Sequence, residues 1–78
     1  MTHNQFHDNI NDAALCLMGI SDDWNEKDIE EHLNWLLMNP DEIAEGYPTE
    51  VMNKKYKSLI LDEVGRLLIM KKSNALNS

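Results

Sequence analysis

The chain has 78 residues, with 14 acidic and 7 basic side chains, a formal net charge of −7 and a sequence pI near 4.7. One cysteine excludes an intramolecular disulfide, and at this length folding buries only about 60% of the surface that the unfolded chain exposes. No apolar run approaches the roughly 18 residues that span a membrane, so we expect a cytoplasmic protein that gains stability from a second copy or another partner.

The charge is distributed unevenly along the chain. Residues 1–50 hold 12 acids against one lysine, a formal −11, whereas residues 51–78 hold 2 acids against 6 Lys or Arg, a formal +4. Such asymmetry predicts a charged interaction surface. Acids at helix starts and lysines at helix ends, which complement helix dipoles, explain the same pattern without a partner.

The apolar spacing predicts an all-α fold, a compact bundle of three main helices plus one short helical turn. The first helix spans about residues 5–18. The second spans about residues 26–38, because Asn25 is a good cap and Asp28, three residues later, can reach back to the backbone of Asn25.

The second helix ends at Asn39 and Pro40, which also start the short turn over about residues 40–45. The third main helix is predicted over about residues 50–72. Its apolar arc is wider than the stripe of an ordinary surface helix, so we expect it to pack against at least two neighbours, one of which can belong to another chain. The side chains of this arc are Met52, Tyr56, Leu59, Ile60, Val64, Leu67, Leu68 and Met70.

No internal repeat, low-complexity tract or strand-like alternation interrupts this pattern. We therefore predict a single helical domain over residues 1–78. Its ends, residues 1–4 and 73–78, are expected to be frayed tails because little apolar mass holds them.

The polar residues offer little chemistry. Glu63 lies within the apolar arc, and a buried carboxylate needs a partner, for which His32, Tyr56 and Lys71 are candidates. No nucleophile stands beside an obvious base, and no glycine-rich phosphate loop is present. We therefore expect no catalytic residue, no cofactor and no metal ion, and predict that the protein is not an enzyme.

The acidic residues suggest a more specific function. Eight of them lie on or beside the second helix and the short turn: Asp22, Asp23, Glu26, Glu30, Glu31, Asp41, Glu42 and Glu45. A helical turn advances by a distance comparable to the phosphate spacing of a nucleic-acid strand, so acidic rows can imitate that backbone. The main hypothesis is a non-catalytic protein-binding regulator or inhibitor with an acidic helical surface, such as a phage counter-defence antagonist of a nucleic-acid-binding enzyme. Acidic faces that only keep a protein in solution are the competing interpretation.

Two alternative functions stay open. An adaptor or assembly subunit would bind through apolar side chains outside the main stripes, namely Leu15, Trp35, Met38, Leu61 and Ile69. A helix-turn-helix DNA binder would use the lysines of the third helix, and would need duplex affinity despite the net charge of −7. The expected partner is a larger protein, with no direct nucleic acid and no membrane, and a homodimer is a further expectation.

Overall fold

The computed structural model describes residues 3–77. Its three α-helices are α1 (His3–Met18), α2 (Glu26–Met38) and α3 (Lys57–Asn77). Two 3-10 turns, Pro40–Glu42 and Lys54–Tyr56, lie between α2 and α3, and the described residues contain no strand. The predicted all-α bundle of three main helices is confirmed. None of its helices, within those residues, has the length and hydrophobicity needed to cross a membrane.

The three helices share one apolar core, and α3 packs against both α1 and α2. The buried residues are Ile10, Ala13, Ala14 and Leu17 of α1, Ile29, Leu33 and Leu36 of α2, Ile60 and Val64 of α3, and Val51 and Met52 of the loop before α3. Ala13 and Ala14 are completely buried. Their small side chains let neighbouring elements approach α1 closely, which suits a core of this size.

The start of α2 is fixed by the capping pattern that the sequence predicts. The Asn25 side-chain oxygen accepts a hydrogen bond from the Asp28 backbone N–H at 2.9 Å, and a carboxylate oxygen of Asp28 accepts one from the Asn25 backbone N–H at 3.2 Å. Each side chain therefore satisfies a donor that the helix leaves unpaired. The predicted boundaries of α2, residues 26–38, agree with the structure.

The third helix begins later than predicted, at Lys57 instead of about residue 50, and it ends later, at Asn77 instead of about residue 72. Asn53 explains the late start. Its backbone is extended, and its side-chain oxygen accepts a hydrogen bond from the Lys55 N–H at 3.0 Å, which caps the second 3-10 turn. This turn runs directly into α3, so the helical segment starts after Asn53.

The loop before α3 contributes core residues without being helical. Val51 is fully buried and Met52 is 8% exposed. Helical periodicity correctly marks Met52 as apolar core but leaves Val51 outside the arc. The spacing of 100° per residue does not apply to a segment that forms turns, so both neighbouring side chains enter the core.

The short helical turn is also shorter than the predicted residues 40–45. It ends at Glu42, because Ile43 has an extended backbone and packs its side chain against the core. Gly46 follows with φ +102°, a conformation that favours glycine. The predicted fraying of both ends stays a prediction. Residues 3–4 and 73–77 lie within α1 and α3, and this assignment does not report whether a helix end frays. Residues 1, 2 and 78 lie outside the described residues.

Glu63 connects α3 to α1. Asn11 Nδ2 donates a hydrogen bond to Glu63 Oε2 at 2.8 Å, while Arg66 Nε and Nη2 donate to the two carboxylate oxygens at 2.6 and 2.8 Å. The candidate partners named from the sequence, His32, Tyr56 and Lys71, are wrong. Glu63 lies on the side of α3 that faces α1, so Asn11 reaches it and His32 of α2 does not.

These contacts lower the pKa of Glu63 below its ordinary value of 4.5, through the Arg66 hydrogen bond first and the Asn11 hydrogen bond second. A carboxyl group with a lowered folded-state pKa stabilises the fold above its ordinary pKa. That contribution is lost as the pH falls through the lower, folded-state pKa.

Replacing Glu63 with Gln should therefore have a pH-dependent effect. We expect the variant to be less stable than the wild type at neutral pH, and the gap in unfolding free energy to shrink in acid below the ordinary pKa. Urea unfolding followed by circular dichroism at both pH values measures this gap. Glu50→Gln, at an exposed site, is the control and should show little gap at either pH. A Glu63→Gln gap that is the same in acid contradicts the assignment.

Gly46 and Gly65 should respond to alanine in opposite directions. At Gly46 a Cβ meets no atom within 4 Å but the positive φ is strained, so Gly46→Ala should destabilise the fold by about 1 kcal/mol or more. At Gly65, within α3, a Cβ would lie 3.5 Å from the Glu26 carboxylate, an ordinary contact. Gly65→Ala should stabilise the fold by about 0.5–1 kcal/mol through helix propensity. Urea midpoints that shift in the same direction for both variants contradict this account.

Candidate protein-binding surface

All eight acids of the predicted binding surface are exposed, and their surroundings divide them into two groups. We call the first group the groove acids: Asp22, Asp23 and Glu26. We call the second group the open acids: Glu30, Glu31, Asp41, Glu42 and Glu45. The acids that the sequence predicts to form one surface therefore occupy two different settings.

The groove acids face lysines of the same chain. They line one wall of a groove of about 630 Å³ between the α1–α2 loop and the C-terminal half of α3, and Lys71 and Lys72 line the other wall. Lys71 Nζ lies 3.5 Å from a carboxylate oxygen of Asp22. Both side chains are largely exposed, so this ion pair contributes little to stability. It shows, however, that the acidic and basic halves of the sequence meet at this groove.

The open acids extend from the middle of α2 through the first 3-10 turn to Glu45 in the loop that follows it. Glu30 lies on the side of α2 next to α3, where it shares a shallow groove with Asp62, and Glu31 lies on the exposed side of α2. Within the part of the chain that the structure describes, no open acid forms an ion pair or a side-chain hydrogen bond. Their charge is therefore available to another molecule.

Asp62 extends this acidic region, although the sequence pattern does not predict it. It is exposed and lines the same shallow groove as Glu26, Lys27 and Glu30. Nothing in the local sequence around Asp62 indicates this neighbourhood. The position depends on how α3 packs against α2, which helical periodicity alone does not give.

The apolar residues of the alternative surface lie on three elements. Leu15 of α1 is 49% exposed and Ile69 of α3 is 68% exposed, while Leu61 is half-buried between α2 and α3. Trp35 and Met38, which are 47% and 76% exposed, lie close together on α2. Of the five predicted residues, these two form the most compact exposed pair.

His32 stacks against Trp35. The His32 ring centroid lies 5.8 Å from that of Trp35, with an interplanar angle of 22°, and 5.2 Å from that of Trp24, with an interplanar angle of 55°. His32 therefore contacts both tryptophans. An exposed aromatic side chain that packs against a neighbouring ring loses less conformational entropy on binding than an unsupported one, and such residues often anchor interfaces.

Glu31, Trp35 and Met38 follow one another at spacings of four and three residues, so they share one face of α2. We call these three residues the α2 patch. Asp41 and Glu42 follow directly in the first 3-10 turn, which packs against the end of α2. The arrangement is an apolar centre with acids beside it. Such a composition complements a protein surface on which basic side chains lie beside an apolar area.

The basic residues of the C-terminal half are partly committed to acids of the same chain. Arg66 is bound to Glu63 and Lys71 lies beside Asp22. Lys54 and Lys55 are exposed in the second 3-10 turn, away from these pairs along the sequence. Two of the cations that the DNA-binding alternative would use, Arg66 and Lys71, are therefore paired within the chain.

No protein-family model, curated protein or solved structure matches the chain. Among the described residues, no group of three or more His, Cys, Asp or Glu side chains is placed to hold a metal ion. The α2 patch and the open acids are the features from which a function can be inferred.

Proposed function

We propose that the protein is a non-catalytic regulator or inhibitor that binds a larger protein through the α2 patch and the open acids. One observation carries this proposal: exposed acids without ion-pair partners in the described chain lie beside a half-exposed tryptophan that stacks against His32. The aromatic centre supplies buried apolar area on binding, and the acids supply charge complementarity.

A basic surface is the partner chemistry that fits these acids. Enzymes that bind nucleic acid present such a surface, since they neutralise phosphates with Lys and Arg. The net charge of −7 favours rapid approach to a basic partner. The more specific form of the proposal is an antagonist that occupies the nucleic-acid site of such an enzyme, as a phage counter-defence protein does.

Affinity capture from a host lysate tests the class of partner. The tagged chain is incubated with nuclease-treated lysate, washed at low and at high salt, and the retained proteins are identified by mass spectrometry. We expect a nucleic-acid-binding protein that survives nuclease treatment and is released at high salt, because charge-based binding weakens as salt rises. If proteins are retained from untreated lysate but not from nuclease-treated lysate, nucleic acid bridges them to the chain, and direct protein binding is contradicted.

Charge reversal then tests the surface. Replacing Glu31 and Asp41 with Lys should weaken binding to the captured partner by about tenfold or more, because each change replaces attraction with repulsion. The matched control replaces Asp8 and Asp12, exposed acids of α1, and changes the net charge equally. Isothermal titration calorimetry measures the affinities, and circular dichroism checks that helicity is retained. Equal losses in both double variants contradict a role for this particular surface.

A second candidate function is favoured by the exposure of Trp35 and Met38. An adaptor or assembly subunit would use these side chains with little contribution from charge. Its partner would stay bound at high salt and tolerate the Glu31 and Asp41 reversals. Both candidates lose binding in Trp35→Ala, so the salt response and the charge reversals are the measurements that separate them.

A further inference from the structure

The groove between the α1–α2 loop and α3 carries opposite charges on its two walls. The groove acids form one wall, and Lys71 and Lys72 form the other. Trp24, Leu68 and Ile69 also line the groove, and we call these three residues its apolar strip. Ile69 is 68% exposed, whereas Trp24 and Leu68 are half-buried, so the apolar strip is partly uncovered.

The charges of the groove are only partly satisfied within the chain. One ion pair, between Asp22 and Lys71, joins the two walls. In the described part of the chain, Asp23, Glu26 and Lys72 have no ion-pair partner. The groove therefore presents unpaired charge of both signs beside exposed apolar surface.

We propose that this groove is a self-association site and that its occupant is the same groove of a second copy of the chain. A ligand that covers the whole groove has to place positive charge over one wall and negative charge over the other. A uniformly basic or uniformly acidic partner meets like charge on one wall, which costs several kcal/mol in an interface. A second copy carries both charges at the required separation.

The symmetry of the dimer follows from the charges. In a face-to-face dimer the two-fold axis lies in the plane of contact. With the axis along the groove, the acidic wall of one copy lies over the basic wall of the other, and the apolar strips meet between them. With the axis across the groove, acid lies over acid and lysine over lysine. The charges therefore select the axis along the groove.

The size and net charge of the chain agree with this choice. A chain of 78 residues has a small core, and oligomerisation is a common source of additional stability at this size. Two copies with a net charge of −7 each repel one another at long range. A self-association surface must therefore offset this repulsion locally, and the groove provides both opposite charges and apolar area for doing so.

The inference is independent of the proposed partner. It uses the groove acids and the C-terminal lysines, whereas partner binding is assigned to the α2 patch and the open acids. A protein that fails to bind a nucleic-acid enzyme could still dimerise through this groove, and the reverse also holds. The two proposals therefore succeed or fail in different experiments.

Sedimentation velocity of two reciprocal variants tests the dimer. The first, the basic variant, carries Asp22→Lys and Asp23→Lys, and the second, the acidic variant, carries Lys71→Glu and Lys72→Glu. Each variant gives both walls charge of the same sign, so like charges face one another in the dimer. Each should therefore weaken self-association by at least about tenfold relative to the wild type. Asp8→Lys with Asp12→Lys has the same charge change as the basic variant but lies outside the groove, and should dimerise at least as strongly as the wild type.

Mixing the two variants gives the decisive result. In a mixed pair, each wall of the basic variant again faces a wall of opposite charge, so heterodimers should form although neither variant dimerises alone. The ion pair between residues 22 and 71 stays broken within each chain, so recovery on mixing cannot come from repaired folding. Native mass spectrometry identifies the heterodimer by mass, and circular dichroism checks that both variants fold.

Three results would overturn the proposal. If the wild-type chain stays monomeric up to millimolar concentration, the groove does not bind a second copy, and its occupant is a segment of another protein or solvent. A dimer that persists in both variants places the interface elsewhere on the molecule. Variants that remain monomeric when mixed show that their loss of association came from local damage and not from mismatched walls.

Discussion

The packing of α3 across both α1 and α2 determines where every surface of this molecule lies. Ile60 and Val64 bury one side of α3 in the shared core. Glu63 is thereby placed within reach of Asn11 of α1, and the C-terminal lysines are placed against the α1–α2 loop. The opposite side of α2 stays uncovered, which leaves Trp35 and Met38 exposed. A change in the crossing of α3 would alter all of these features together.

The features that the sequence predicts correctly are those with local causes. The boundaries of α2 follow from a capping box whose two residues are three positions apart, so no knowledge of the tertiary structure is needed. The start of α3 was misplaced because Asn53, a good cap, lies within an otherwise helix-like apolar pattern. The helical pattern also leaves Val51 outside the predicted core, because Val51 is buried by a loop before α3 and not by a helical face.

The candidate surfaces depend on contacts between distant segments, and the sequence predicts them less well. The exposure of all eight acids follows from their charge. Their division into groove acids and open acids does not, because it requires knowing that residues 71 and 72 lie opposite residues 22 to 26. The predicted partners of Glu63 are wrong for a similar reason, since the sequence does not show that α1 lies beside this side chain.

This division gives the uneven charge of the sequence a physical role. Acids near the start of α2 lie opposite cations from the end of α3. The fold therefore brings part of the negative half of the sequence next to part of its positive half. The acids farther along α2 and in the first 3-10 turn form no ion pair within the described residues, although Lys27 lines the same shallow groove as Glu30. In our account the first set supports association between copies, and the second set recognises a basic partner.

The two tryptophans allow the central claim, that these surfaces are separate, to be tested in one measurement. Trp24 lines the groove and Trp35 lies in the α2 patch. Indole N–H resonances of the ¹⁵N-labelled protein, recorded over a dilution series, report on both surfaces at once. The His32 ring contacts both indoles, so we expect both resonances to respond as dimers dissociate, with a larger shift for Trp24 than for Trp35. A concentration-dependent shift of Trp35 with a constant Trp24 would show that copies associate through the α2 patch, and would contradict the account.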